Sequence, residues 1–138
     1  MGLVYAEIEL INTVELAMVQ RSLMDKDDVK RMRVTMLVDT GAFMMTINET
    51  IQSYLNLPFI ERRPVRLADE RVVEYDVVGP IDVRFANRKA ICNAFILPGD
   101  SEPLLGAIPM EEMDVLIHPQ RQELVVNPLH PDQAEYRM

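Results

Sequence analysis

The sequence is poor in several residue types that chemistry often needs. Its 138 residues include one cysteine, no tryptophan, two histidines and five glycines. A single cysteine excludes an internal disulfide, and no thiolate set for a metal is present. His118 and His130 have no second ligand at metal spacing, so no metal site is expected. Cys92 lies in the apolar run 90–97 with neither histidine near it in sequence; it reads as a small buried hydrophobe in a strand, not a nucleophile. No apolar run approaches the roughly 18 residues of a membrane-spanning helix, so no membrane partner is expected. Residues 1–7 carry an acid early and no basic stretch, which argues against a signal peptide and makes the cytoplasm the expected compartment. Positive charge is also scarce: 14 Lys and Arg face 22 Asp and Glu, for a net charge of -8. An acidic surface repels phosphate backbones, so no nucleic-acid partner is expected.

What remains is the composition of one soluble globular domain, 49% apolar and 26% charged. Three stretches differ in character: 1–28, an N-terminal extension with a strand; 29–127, the main domain; and 128–138, a polar tail. Partial alternation over 4–12 predicts a strand, and 25–28 a solvated turn. Val34, Met36 and Val38 alternate with Arg33 and Thr35 in a strand that runs into Asp39-Thr40-Gly41-Ala42. After a short strand-like stretch at 43–47, residues 48–57 read as a helix, with Asn48 capping it, Glu49 in its first turn and Pro58 marking its stop. The segment 65–97 is all β: two strands flank the polar tip Ala68-Asp69-Glu70-Arg71, Gly79-Pro80 punctuates, 86–89 turns, and 90–97 is a buried strand. A brief helix over 109–113, with Pro109 at its first position, and a strand pair at 115–117 and 123–126 complete the chain. The fold class is therefore mainly β with one or two short helices. The ten methionines read as core filler.

The chemistry concentrates in two places. Asp39-Thr40-Gly41-Ala42 follows an apolar strand, and about 65 residues later comes Leu104-Leu105-Gly106-Ala107, two apolar residues and then a glycine. Their order and spacing over about 29–126 resemble the retropepsin-like aspartic peptidases. The resemblance implies a closed acid-protease β-barrel, with Asp39, Thr40 and Gly41 as catalytic residues. Ala42 and the flap tip Ala68, Asp69, Glu70 and Arg71 would contact substrate. Leu104, Leu105 and Gly106 would thread behind the catalytic loop as structural support. With one Asp-Thr-Gly per chain, it implies a homodimer acting on a peptide or protein, without metal or cofactor. The Thr40 hydroxyl would bond across to the partner subunit's loop, and the Gly41 N–H would serve the carboxylate. Ala42 stands where pepsin-like enzymes carry serine or threonine. The missing hydroxyl removes a hydrogen bond to the charged form, so a working pH nearer neutral than pepsin's is expected.

Three features depart from the viral pattern: the flap tip holds no glycine and two acids, an extra helix precedes the flap, and 28 residues precede the domain. The unusual flap leaves an alternative, a non-catalytic dimeric module that binds a peptide or protein on the same fold. In a third reading, a plain β-barrel interaction domain, Asp39 is a structural turn residue.

Overall fold

The computed structural model describes residues 2–138. It is mainly β, with 45% of the chain in strands and 18% in helices. The elements run β1 (Tyr5–Asn12), α1 (Thr13–Gln20), a single 3-10 turn (Lys26–Asp28), β2 (Arg31–Val38), β3 (Met45–Asn48), α2 (Glu49–Leu55), β4 (Phe59–Arg66), β5 (Val72–Phe85), β6 (Arg88–Leu97), β7 (Leu104–Leu105), α3 (Ala107–Met113), β8 (Val115–His118) and β9 (Glu123–Val126). Six strands form the order β1-β2-β7-β3-β6-β5, and β5 pairs back onto β1 to close a ring. β4 hangs from β5 as the outer arm of a hairpin, and β8 pairs with β9 in a separate two-stranded sheet.

Alternation explains the ring. In β2 the side chains of Val34, Met36 and Val38 are buried while Arg33 and Thr35 are exposed, the period of two that a half-buried strand requires. β1 does the same with Ala6, Ile8 and Leu10, and its register sets Ile8 opposite Val34 and Ala6 opposite Met36. Residues 5–12, which the sequence sets apart as an extension, thus supply one strand of the ring itself. The interior holds Ile8, Leu10, Met36, Met45, Ile47, Ile81, Leu105 and Met113, all fully buried. Each such side chain contributes about 1.5–3 kcal/mol on leaving water. Met36, Met45 and Met113 fill this core as thioethers do, following irregular gaps.

α2 starts where its cap predicts. The Asn48 Oδ1 accepts the Ile51 N–H at 2.9 Å, and Glu49 occupies the first turn. It ends at Asn56, a left-handed residue with φ 50°, before Pro58 is reached. Three α-helices form where one or two were expected. The additional one, α1, buries no residue, so it leaves no apolar stripe in the sequence. Gly79-Pro80 does not end its strand: β5 continues to Phe85 across a register shift between Val78 and Ile81. The turn before β6 is only Ala86-Asn87, because Arg88 already pairs with Phe85. α3 begins at Ala107, so Pro109 is its third residue.

The tail is tied down. Asp114, the left-handed cap of α3, accepts hydrogen bonds from Asn127 Nδ2 at 3.1 Å and the Glu135 N–H at 3.1 Å, and lies 2.7 Å from His130 Nδ1. Asn87 donates to the carbonyls of Pro131 and Asp132, the buried Arg88 donates to that of His130, and Tyr136 donates to that of Glu112. Among the described residues no helix is long and apolar enough to cross a membrane.

Candidate active site

β2 delivers Asp39 half-buried at its end, with Thr40 and Gly41 exposed and Ala42 half-buried beyond it. Each turn of this loop is held by backbone bonds. The Asp39 N–H donates to the Leu105 carbonyl at 3.0 Å, and the Ala42 N–H to the Asp39 carbonyl at 3.1 Å. The Gly41 N–H donates to Asp39 Oδ1 at 2.9 Å, which fixes the carboxylate's orientation. A Cβ on Gly41 would lie 3.2 Å from that same oxygen.

The support comes from β7. Two residues long, it runs parallel to β2, with Leu37 opposite Leu104 and Val38 opposite Leu105, and antiparallel to β3 through Thr46 and Leu104. Thr46 Oγ1 accepts the Leu104 N–H at 3.0 Å. Gly106 then passes so close behind the loop that a Cβ would meet the Met44 carbonyl oxygen at 2.4 Å and that of Ala42 at 2.8 Å. Only glycine fits that approach. At the start of α3 the amides of Ala107 and Ile108 donate to the carbonyls of Ala42 and Phe43 at 2.8 and 3.0 Å. Asp39, Gly41, Ala42, Leu104, Leu105 and Gly106, far apart in sequence, therefore meet in one backbone frame.

Ala68, Asp69, Glu70 and Arg71 lie elsewhere, at the exposed tip of the β4–β5 hairpin. The tip closes through the Leu67 N–H to the Arg71 carbonyl, 2.8 Å, and the Glu70 N–H to the Leu67 carbonyl, 3.0 Å. Glu70 takes the left-handed φ of 71° that a glycine would otherwise supply. Arg71 bonds Asp69 at 2.7 Å and Arg66 bonds Glu70 at 3.3 Å. The Arg71 side chain and N–H hold the Asp69 carboxyl below its usual range. Among the described residues no hydrogen bond joins this tip to the Asp39 loop.

Other candidates lose ground on geometry. Burial, with Glu112 nearby, pushes the Cys92 thiol up to about 12, so it stays protonated and is no nucleophile. Among the described residues no three His, Cys, Asp or Glu side chains are grouped to hold a metal ion. His118 accepts the Arg121 N–H in a turn. His130 lies between Asp114 and Glu135. Asp114 is the polar hub that sequence reading passed over; its partners lie 13 to 21 residues away, beyond any local motif. The acid spacing that signals such a hub does not exist in one dimension.

No curated protein matches the chain at a significant level. A family model described as aspartyl protease matches residues 25–122, which contain the Asp39 loop, the hairpin and β7. The chain belongs to this aspartyl protease family, of the retropepsin-like clan.

Proposed function

We propose that two copies of this chain pair about a two-fold axis and bring their Asp39 carboxylates together as the dyad of an aspartic endopeptidase. The observation that carries this reading is the Asp39 loop, open to solvent in front and locked from behind by Gly106 and the first amides of α3. One such loop per chain supplies one carboxylate, and peptide hydrolysis by this route needs two. Two carboxylates about 3 Å apart, the arrangement general to aspartic proteases, cannot both ionise and share one proton. The charged member removes a proton from water as it attacks the carbonyl carbon, and the protonated one polarises the carbonyl oxygen. The protons belong to the pair, so neither Asp39 has a private titration. Thr40, exposed beside Asp39, would bond the partner's loop and hold the two acids in register. The substrate would be an extended polypeptide lying between loop and hairpin, with Ala42 and the tip residues 68–71 in contact with it.

Asp39→Asn tests the mechanism. Cleavage of a peptide library should fall to background while sedimentation shows the same dimer as the parent protein. Retained cleavage, or a parent protein that sediments as a monomer at every concentration, would sink the dyad.

The hairpin tip gives a second reading one specific support. It carries ion pairs where a mobile flap would carry glycine, which suits a dimeric module that holds a peptide without cutting it. A statine-containing peptide that binds only while Asp39 is intact favours the enzyme; peptide binding indifferent to Asp39 favours the module.

A further inference from the structure

Beside the catalytic loop lies an open depression of about 270 Å³. Its walls are Phe43 and Met44, which follow Ala42 directly, Ile91 and Asn93 of β6, Ile108 of α3, and Arg63 of β4. Much of this apolar wall is open to solvent: Phe43 is 72% exposed and Ile91 46%. The bond from the Ile108 amide to the Phe43 carbonyl at 3.0 Å ties the wall to the frame that holds Asp39. The register of the hairpin decides which side Arg63 is on. Arg63 lies opposite Tyr75 and Val65 opposite Val73, so these four share one face, as directly opposed and alternate residues do. On that face Val65, Val73 and Tyr75 are half-buried and Arg63 is exposed; on the other face Arg62, Pro64, Arg66, Val72 and Glu74 are exposed and Asp76 is half-buried. Arg63 therefore shares the face of Val65, Val73 and Tyr75, with its own side chain 52% exposed. Its Nε bonds Glu61 at 3.0 Å, and that bond leaves the two terminal guanidinium nitrogens for a carboxylate. The other arginines of the hairpin pair at the tip or on the outer face: Arg62 with Asp76, Arg66 with Glu70 and Arg71 with Asp69.

We infer that this depression is a specificity subsite in which Phe43, Met44 and Ile108 take an apolar side chain and Arg63 reads a neighbouring carboxylate. The preferred substrate is thus a polypeptide with an acidic residue beside an apolar one. The inference rests on the peptidase reading, in which an extended chain passes under the hairpin. A protein with a net charge of -8 repels acidic peptides at long range, so any preference for one has to come from a local cation.

The test separates recognition from catalysis. Full-length protein carrying Asp39→Asn is titrated with fluorescent peptides that differ only by Glu against Gln, the exchange being moved stepwise past one leucine. At one position the Glu peptide should bind about fivefold more tightly, the scale of one partly exposed charge pair. Arg63→Ala should erase that ratio, and Arg63→Glu should turn it toward a Lys peptide. No binding, no preference at any position, or a preference that survives Arg63→Ala overturns the subsite. Cleavage of the same peptides by the parent protein reports on the dyad separately. Arg63-dependent binding without cleavage would fault the dyad alone, and cleavage indifferent to Arg63 would fault the subsite alone.

Discussion

The Asp39 loop and the β4–β5 hairpin are built on opposite principles. Around Asp39 most constraints are backbone bonds or steric fits from behind the loop: β7, Gly106 against two carbonyls, and two amides of α3. The β4 arm has its backbone ladder to β5 but no fully buried side chain, and its side-chain cross-links are ion pairs mostly about half exposed or more. Backbone bonds and close packing place atoms to a fraction of an ångström, while exposed ion pairs hold two long side chains for little net gain. In the proposed peptidase, precision falls where a proton would be shared and compliance where a polypeptide would be grasped.

That contrast is breakable by substitution, with the largest effects in the loop's support. Leu105→Ala leaves a cavity next to the Asp39 amide's acceptor and should cost about 2–5 kcal/mol in urea unfolding at fixed protein concentration. Gly106→Ala forces a methyl against backbone that cannot turn aside, and should cost about 1–3 kcal/mol or more. It should also displace the loop, so activity falls further than the loss of folded protein explains. In the hairpin, Arg66→Ala and Arg71→Ala should each change stability by less than about 1 kcal/mol, and the small losses should shrink further in 1 M salt. A hairpin variant as damaging as Leu105→Ala would erase the distinction drawn here.

The tail offers a finer probe, read by pH. Asn127, the Glu135 amide and His130 hold the Asp114 carboxyl below its ordinary value. A carboxyl lowered on folding stabilises the folded form above its unfolded pKa, about 4, and loses that contribution as pH falls through the lower folded value. Hydrogen exchange at the Glu135 amide should therefore quicken as pH drops below about 4, relative to its intrinsic rate. In Asp114→Asn that acid-side loss of protection should be absent. Unchanged protection in the parent protein across that range would show that Asp114 does not hold the tail.

Much of the ring was legible because its signals are local. Alternation in β1 and β2, the apolar run of β6, the Asn48 cap and the Asp39 motif each lie within a few neighbouring residues. Gly106 was legible only together with Asp39, since a glycine in an apolar run means little until something must approach it. The misses have physical reasons. α1 packs no residue into the core, so no 3.6-residue stripe betrays it, though Asn12 accepts the Glu15 amide as a cap would. Gly79-Pro80 reads as a stop, but β5 absorbs it in an irregularity of the ladder, and the Gly79 amide finds Pro58 instead. The tail reads as loose because its composition is polar. Its anchors are Asp114, Arg88 and Asn87, which only the folded chain brings near. Arg63 was passed over for a like reason, since which face of a hairpin a side chain occupies depends on register.

β7 also has a consequence in time. The two residues that wall the Asp39 loop are made some 65 positions after it and must be inserted between β2 and β3, both already laid down by then. Closing so long a loop delays the contact relative to local ones. A chain still emerging from the ribosome thus carries the Asp39 motif without its wall. The backbone frame of the Asp39 loop is therefore completed only after residues 104–108 have been made.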